Sequence, residues 1–376
     1  MSKDTACVQA GTYRDVTEGG VNTPIFTSSA FDYADRGEIR YPRYFNTPNQ
    51  RAVEDKMCAL EDAEAAILFS SGMAAISTVL LSELNPGDHV VLLDALYGGT
   101  HAFAADALDH LGVRSTYVAT EVRAIEDALT PATKAIVVES PTNPLMEIID
   151  LRKVGALGKA RGVTTVIDNT FATPINQTPI NLGIDVVVHS GTKYLGGHSD
   201  LCCGVALTST ERARKIRAFA CHLGGSLDAT ASYLLERSLK TLALRVQRQS
   251  ENAQRIAGFL ESDERVTQVY YPGLRAFPGH AIAAGQMSGF GGVLSFELQS
   301  DIDVGRFLGR LDLIRVAVSF GGVETMISSP AETSHHRMSS EERLRIGVTP
   351  SLLRLSAGIE DPDDVISDLN EALSGQ

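Results

Sequence analysis

Five short apolar runs constrain this chain more than any other feature of its sequence. They are HVVLLDA at 89–95, AIVVES at 135–140, TTVIDN at 164–169, DVVVHS at 185–190 and GVALTS at 204–209. Each is continuously hydrophobic and each is bounded by polar residues or glycine. A strand with one wet face alternates; a strand covered on both faces does not. These runs therefore read as parallel strands between layers of helices. Helical stretches separate most of them, for instance 100–112 and 151–161. That alternation predicts a doubly wound α/β domain with a mainly parallel sheet. Ahead of the first run, 52–61 (AVEDKMCALE) and 72–84 (GMAAISTVLLSEL) read as helices, the second nearly all apolar and so buried. Asn85-Pro86-Gly87-Asp88 reads as a turn.

The rest of the chain has another texture. Residues 232–262 read as one long helix that carries the chain out of the large domain. GGVLSFEL (291–298), LIRVAVSF (313–320) and LLRLSAGI (352–359) read as strands, and DVGRFLGRLD (303–312) as a helix. The last helix starts with Asp361 as its cap and Pro362 in its first position. Residues 1–50 show no period and read as an extended arm. Such an arm stays ordered only against something, and a neighbouring subunit is one candidate. The organisation expected is an arm over 1–50, an α/β domain over 51–239 and a smaller α+β domain over 240–376. A chain of 376 residues is long enough for this and for a large core.

Charge and composition exclude several classes. The 33 basic and 46 acidic residues give a net charge of −13, the opposite of a nucleic-acid footprint. A locally positive cleft can still take an anion. No apolar run approaches the roughly 18 residues of a membrane span, and MSKDTACVQAGTYRD has no apolar signal region. Neither membrane nor nucleic acid is an expected partner. The five cysteines, Cys7, Cys58, Cys202, Cys203 and Cys221, match no zinc spacing and read as buried reduced thiols of a cytoplasmic protein. His335-His336 looks like a metal pair without a third ligand, so no metal is expected. The glycines at 196–197 and 321–322 make no dinucleotide fingerprint.

The chemistry lies where strands end. Glu139-Ser140, Asp168-Asn169, His189-Ser190 and Ser70-Ser71-Gly72 all follow apolar runs, and open α/β sheets bind ligands beyond the carboxyl ends of their strands. Lys193, in HSGTKYLGGHSD (189–200), stands between hydroxyls and glycines. Such a lysine is either a surface residue of a turn or an amine nucleophile that forms a Schiff base with a carbonyl. Asp168, in VIDNTFATP (166–174), ends an apolar strand and needs a partner. A pyridinium nitrogen is one such partner; a capped turn is the plainer alternative. Ser70-Ser71-Gly72 runs into a helix whose free N–H groups form an anion site. Tyr97, in LYGGT, follows a strand beside two glycines that permit close approach. Together these residues are the parts of a pyridoxal phosphate (PLP) site: amine, acid, phosphate cup and aromatic face.

Four segments, SPTNPLMEI (140–148), IDNTFATP (167–174), HSGTKYLGGHSD (189–200) and LLRLSAGIED (352–361), resemble the Cys/Met-metabolism group of PLP enzymes. That group includes cystathionine γ-synthase, cystathionine γ- and β-lyases, methionine γ-lyase and O-acetylhomoserine sulfhydrylase. The resemblance implies a fold-type I enzyme, a homotetramer built as a dimer of active dimers, with PLP as cofactor and a sulfur amino acid as substrate. It implies that Lys193 carries the cofactor, Asp168 faces its ring nitrogen and Tyr97 stacks on its ring and protonates the leaving thiol. Gly72, Met73, Ser190 and Thr192 match the phosphate cup. Tyr41 and Arg43, in YPRYFNTP, match residues lent to the phosphate of a neighbouring subunit, with Tyr41 also a catalytic helper. Arg354 matches the clamp on the substrate carboxylate, where a bidentate fork fits; Asn143 and Ser319 match residues beside it. Asn46-Thr47-Pro48 departs from the family's usual Asn-Pro-Thr.

Two positions bear on the substrate. Cystathionine-handling γ enzymes typically have Glu before the Ser319 position and β-lyases often have Tyr; here it is Val318, which implies an apolar pocket with no partner for a second ammonium group. Gly99 stands where bacterial methionine γ-lyases usually have Cys. The activity implied is that of a carbon–sulfur lyase or transferase, by γ-elimination or γ-replacement on methionine, homocysteine or cystathionine. Cystathionine β-lyase and O-acetylhomoserine sulfhydrylase are the alternatives inside the family. An aminotransferase and a non-catalytic PLP-binding regulatory protein are those outside it.

Overall fold

The computed structural model describes residues 1–34, 36–333 and 339–375. Its larger sheet has seven strands: β1 (Ala65–Phe69), β2 (His89–Leu93), β3 (Arg114–Val118), β4 (Thr133–Glu139), β5 (Thr164–Asp168), β6 (Val186–Ser190) and β7 (Gly204–Thr208). They lie in the order β3-β2-β4-β5-β6-β7-β1. Strands β2 to β6 are mutually parallel, as the unbroken apolar runs predict; β2, β4 and β6 are buried along almost their whole length and β5 over its three central residues.

The run at 204–209 departs from that expectation. β7 pairs antiparallel with both β6 and β1. A parallel return needs a crossover, usually a helix. The link from β6 to β7 is a loop without one, so the chain doubles back. β1 and β3 were not among the five runs. β1 is a short apolar stretch directly before Ser70, and β3 is an edge strand with no fully buried residue.

A second, smaller sheet comprises β8 (Val266–Tyr270), β9 (Val293–Leu298), β10 (Arg315–Val316), β11 (Met326–Ser328) and β12 (Leu352–Ser356), in the order β10-β11-β12-β9-β8. The segment read as a strand over 313–320 contributes only Arg315–Val316. Ser319 takes φ 88°, a left-handed turn that side chains rarely adopt, and this swings the chain out of the sheet. The helical pattern at 232–262 is two helices, Ala229–Leu239 and Leu242–Glu261, separated by a tight turn in which Thr241 N–H bonds Ser238 O. The expected helix at 100–112 is Gly98–Ala102 continuing into a π-helical turn, Phe103–Leu108.

The N-terminal segment is not wholly an arm. Lys3–Gln9 is a helix capped by Ser2, with Ala6 and Cys7 buried against helices Pro48–Glu61 and Leu242–Glu261. The Asn46-Thr47-Pro48 variant finds its reason here. Pro48 occupies the first position of helix Pro48–Glu61, and Gln50 Oε1 accepts from Thr47 N–H at 2.9 Å. Between these two helices the chain is mostly exposed, with one short turn at Pro42–Tyr44. All five cysteines are free; Cys7 and Cys203 are buried, Cys58 and Cys221 half-buried, and Cys202 exposed, against the expectation for it. His335 and His336 lie outside the described residues. Among the described residues no group of three or more His, Cys, Asp or Glu could hold a metal. No described helix is long and apolar enough to cross a membrane.

Candidate active site

The strand order reverses between β2 and β4, where the chain goes outward to β3 and then back across the sheet. A crevice opens at such a point, beyond the carboxyl ends. Here it is a cavity of about 660 Å³. Eleven of the thirteen predicted site residues line it: Gly72, Met73, Tyr97, Asn143, Asp168, Ser190, Thr192, Lys193, Val318, Ser319 and Arg354. The elements explain the convergence. Ser190, Thr192 and Lys193 sit at and just past the end of β6, Asp168 ends β5, and Tyr97 follows β2. The smaller sheet brings Arg354 on β12 and Ser319 on the left-handed turn.

Lys193 Nζ donates to Ser319 Oγ at 2.6 Å and lies 4.8 Å from the centre of the Phe320 ring. Burial pulls its pKa from 10.5 to about 8, and the charge of Arg354 adds to the fall. An amine so placed is readily deprotonated. Arg354 is buried; its Nη1 donates to Asn143 Oδ1 at 2.9 Å and its Nη2 to Ser319 O at 3.2 Å. Burial lowers it to about 10, so it stays charged at neutral pH and has N–H groups left for a carboxylate. Phe320 supports both cations, 5.3 Å from Arg354 Cζ and stacked on Phe171 with ring centres 4.4 Å apart.

Asp168 is raised by burial. Hydrogen bonds from the Thr170 hydroxyl and backbone N–H act against this, as do the charges of His189 and Lys193. Thr170 Oγ also accepts from Ser190 N–H at 2.8 Å, tying the ends of β5 and β6 together. Tyr97 is 46 % exposed at the mouth, and its backbone N–H donates to Glu139 Oε2 at 2.9 Å.

These residues fit PLP. The twelve-residue helix Gly72–Glu83 starts at the cavity wall, where Ser71, Gly72 and Met73 line it, with Ser71 Oγ serving Ala74 N–H at 3.0 Å. A Cβ on Gly72 would lie 2.9 Å from Ser190 Cβ, so only glycine lets this helix start meet β6 so closely. Amine, acid and aromatic ring stand around the same space.

Tyr41 and Arg43 do not reach it in this chain. Arg43 Nη1 donates to Cys221 O at 2.8 Å and packs over Tyr41 and Tyr44, and Tyr41 is exposed. Val318 lines the cavity at its rim, 67 % exposed, where an apolar pocket without a partner for an ammonium group was expected. Glu139 was marked only as a strand end, and Thr170, Phe320 and Glu332 are among the lining residues not singled out from sequence. Glu139 ends a predicted strand and Thr170 stands two residues past Asp168, so both carried a positional signal. Phe320 and Glu332 carried none, because the fold of the smaller sheet alone brings them in.

The model of the Cys/Met metabolism PLP-dependent enzyme family matches residues 4–374. The chain is 43% identical over 377 residues to a cystathionine gamma-lyase of Bacillus subtilis, covering 99% of each chain. It is 42% identical to a cystathionine beta-lyase of Lactococcus lactis, covering 98% of each. The structure of cystathionine gamma-lyase from Lactobacillus plantarum complexed with L-serine superposes with a TM-score of 0.96 at 39% identity, covering 100% of this chain and 99% of that one. Fold, cavity and likeness along the whole chain agree: this chain belongs to the Cys/Met metabolism PLP-dependent enzyme family.

Proposed function

We propose that the chain is a PLP-dependent carbon–sulfur lyase that acts at the γ carbon of a sulfur amino acid. The observation that carries this reading is the placement of Lys193, an amine whose pKa burial lowers to about 8, in the same cavity as Asp168 and Arg354. The substrate α-carboxylate lies on Arg354, oriented by Asn143 and Ser319. Lys193 would carry PLP; Gly72, Met73, Ser190 and Thr192 would hold its phosphate and Asp168 its ring nitrogen, and the bound cofactor would supply an electron sink at Cα. Lys193 Nζ would take the Cα proton; its pKa near the working pH suits a base that must also return protons. Cleavage at Cγ needs a second proton removed, from Cβ, which the same amine would take after handing on the first. The Tyr97 hydroxyl gives a proton to the departing sulfur. With one water the products are a thiol, ammonia and a four-carbon 2-oxo acid.

The far end of the substrate meets a different surface from the one expected. Val318 is mostly in water, and Glu332 lines the same cavity. A second ammonium group there finds solvent and a carboxylate, so no desolvation penalty excludes cystathionine. Tyr41 and Arg43 stand on the exposed stretch before helix Pro48–Glu61, and in this reading they serve the phosphate of an adjacent subunit in a dimer of active dimers. The free cysteines suit a cytoplasmic enzyme.

Product analysis tests the proposal. With cystathionine the holoenzyme is expected to give cysteine and the four-carbon 2-oxo acid, and with methionine the same oxo acid and a volatile thiol. Homocysteine with a three-carbon oxo acid would mean β cleavage, and an oxo acid that keeps the substrate sulfur would mean transamination. Either result overturns the γ reading.

A further inference from the structure

Two carboxylic acids end neighbouring strands at the floor of the cavity. Glu139 closes β4, Asp168 closes β5, and the two are paired in register. Both line the cavity. Their surroundings are not alike. Asp168 Oδ1 accepts two hydrogen bonds, from the N–H and the hydroxyl of Thr170. Glu139 Oε2 accepts one, from Tyr97 N–H, while Glu139 Oε1 is sealed from solvent and has no partner among the described residues. A bare ionised oxygen in such a place is far costlier than a protonated one. Two adjacent buried carboxylates repel each other when both are ionised, and the one with fewer hydrogen bonds keeps its proton.

We propose that Glu139 is a positioning residue that works as a neutral carboxylic acid, anchoring the Tyr97 turn through Oε2 and leaving Asp168 as the only anion against the ring nitrogen of the cofactor. The charged groups around it agree. Burial, and then the charge of Asp168, push the Glu139 carboxyl well above the usual range, opposed by the Tyr97 N–H and by Arg354. Glu139 acts through Tyr97 and Asp168 and touches no reacting atom. An ionised Glu139 would compete with Asp168 for the same counter-charge and raise the cost of ionising it.

The inference rests on the cofactor placement, not on the sulfur chemistry, so the two can fail separately. The test compares wild type, Glu139→Ala and Glu139→Gln, each stripped of PLP and reloaded. PLP affinity is read by equilibrium dialysis, turnover by thiol release, and protonation by infrared difference spectra. Glu139→Ala frees the Tyr97 turn and is expected to weaken PLP binding by about tenfold. Glu139→Gln keeps an acceptor for Tyr97 N–H without a charge and is expected to recover affinity and turnover to within about threefold of wild type. At neutral pH the wild type should show a protonated-carboxyl band that Glu139→Gln lacks. If Glu139→Gln is as impaired as Glu139→Ala, or the band is missing from the wild type, Glu139 is ionised and the proposal falls. If Glu139→Ala binds PLP as wild type does, the anchoring role falls. Should Glu139→Ala fail to fold, Glu139→Gln and the infrared band still decide. Absence of lyase activity in all three, with affinities and band as expected, would sink the γ-lyase reading and leave Glu139 as described.

Discussion

Lys193 is held in its cavity at a cost to stability, and Lys193→Met should reveal it. A pKa of about 8 in the folded chain against an ordinary 10.5 corresponds to about 3 kcal/mol at roughly 1.36 kcal/mol per pH unit. In PLP-free protein, the unfolded chain keeps this proton up to about pH 10.5 and the folded chain only to about pH 8. Unfolding therefore takes up a proton between those values, and stability rises with pH across that window. Below pH 8 the full penalty is present; above 10.5 it is gone. Methionine fills similar space without charge. It forfeits the bond to Ser319 Oγ, worth about 1 kcal/mol. At pH 7 the variant should thus be more stable than wild type by about 2 kcal/mol, and that advantage should vanish on approach to pH 10.5. The chain has no tryptophan, so urea unfolding is followed by far-ultraviolet circular dichroism, at one protomer concentration because assembly adds to stability. A variant less stable at pH 7, or a difference that does not change between pH 7 and pH 10, would refute the reasoning.

Three further outcomes follow from the geometry. Gly72→Ala drives a Cβ to 2.9 Å from Ser190 Cβ; overpacking of about 1–3 kcal/mol should weaken PLP binding by about 5- to 150-fold in equilibrium dialysis, and unchanged affinity would mean the cup lies elsewhere. Mixing inactive Arg43→Ala with inactive Lys193→Ala chains should restore turnover, since one hybrid site has both residues intact; no recovery after confirmed subunit exchange would place Arg43 in service of its own chain. Glu332→Gln should lower kcat/KM for cystathionine by up to about fivefold while sparing methionine, the scale of an exposed ion pair. An equal effect on both substrates would remove Glu332 from substrate choice.

The central layers of the fold and the heart of the site were legible because both depend on local pattern. β2, β4, β5 and β6 announce themselves as unbroken apolar runs, with Asp168 at the end of β5 and Lys193 just past the end of β6. Direction was not legible for β7: it depends on the length of the loop from β6, which the strand's own residues do not encode. β3 escaped because an edge strand is half-exposed and its five residues, RSTYV, carry no apolar run. The rim escaped for a tertiary reason. Val318 and Glu332 reach the cavity through the turn at Ser319 and the placement of the smaller sheet, so the surroundings of Val318 could not be read from its neighbours in the chain. Arg43 reads clearly as a phosphate ligand by resemblance, yet within one chain it meets Cys221 O and two tyrosine rings.

The account turns on Lys193 moving protons at two adjacent carbons. The measurement that tests this most directly is proton magnetic resonance of methionine incubated with holoenzyme in deuterated water. The account predicts that unreacted methionine loses its Cα and Cβ proton signals with wild type, and keeps both with a folded Lys193→Ala. Exchange at Cα alone in the wild type, or exchange that persists in Lys193→Ala, would contradict it.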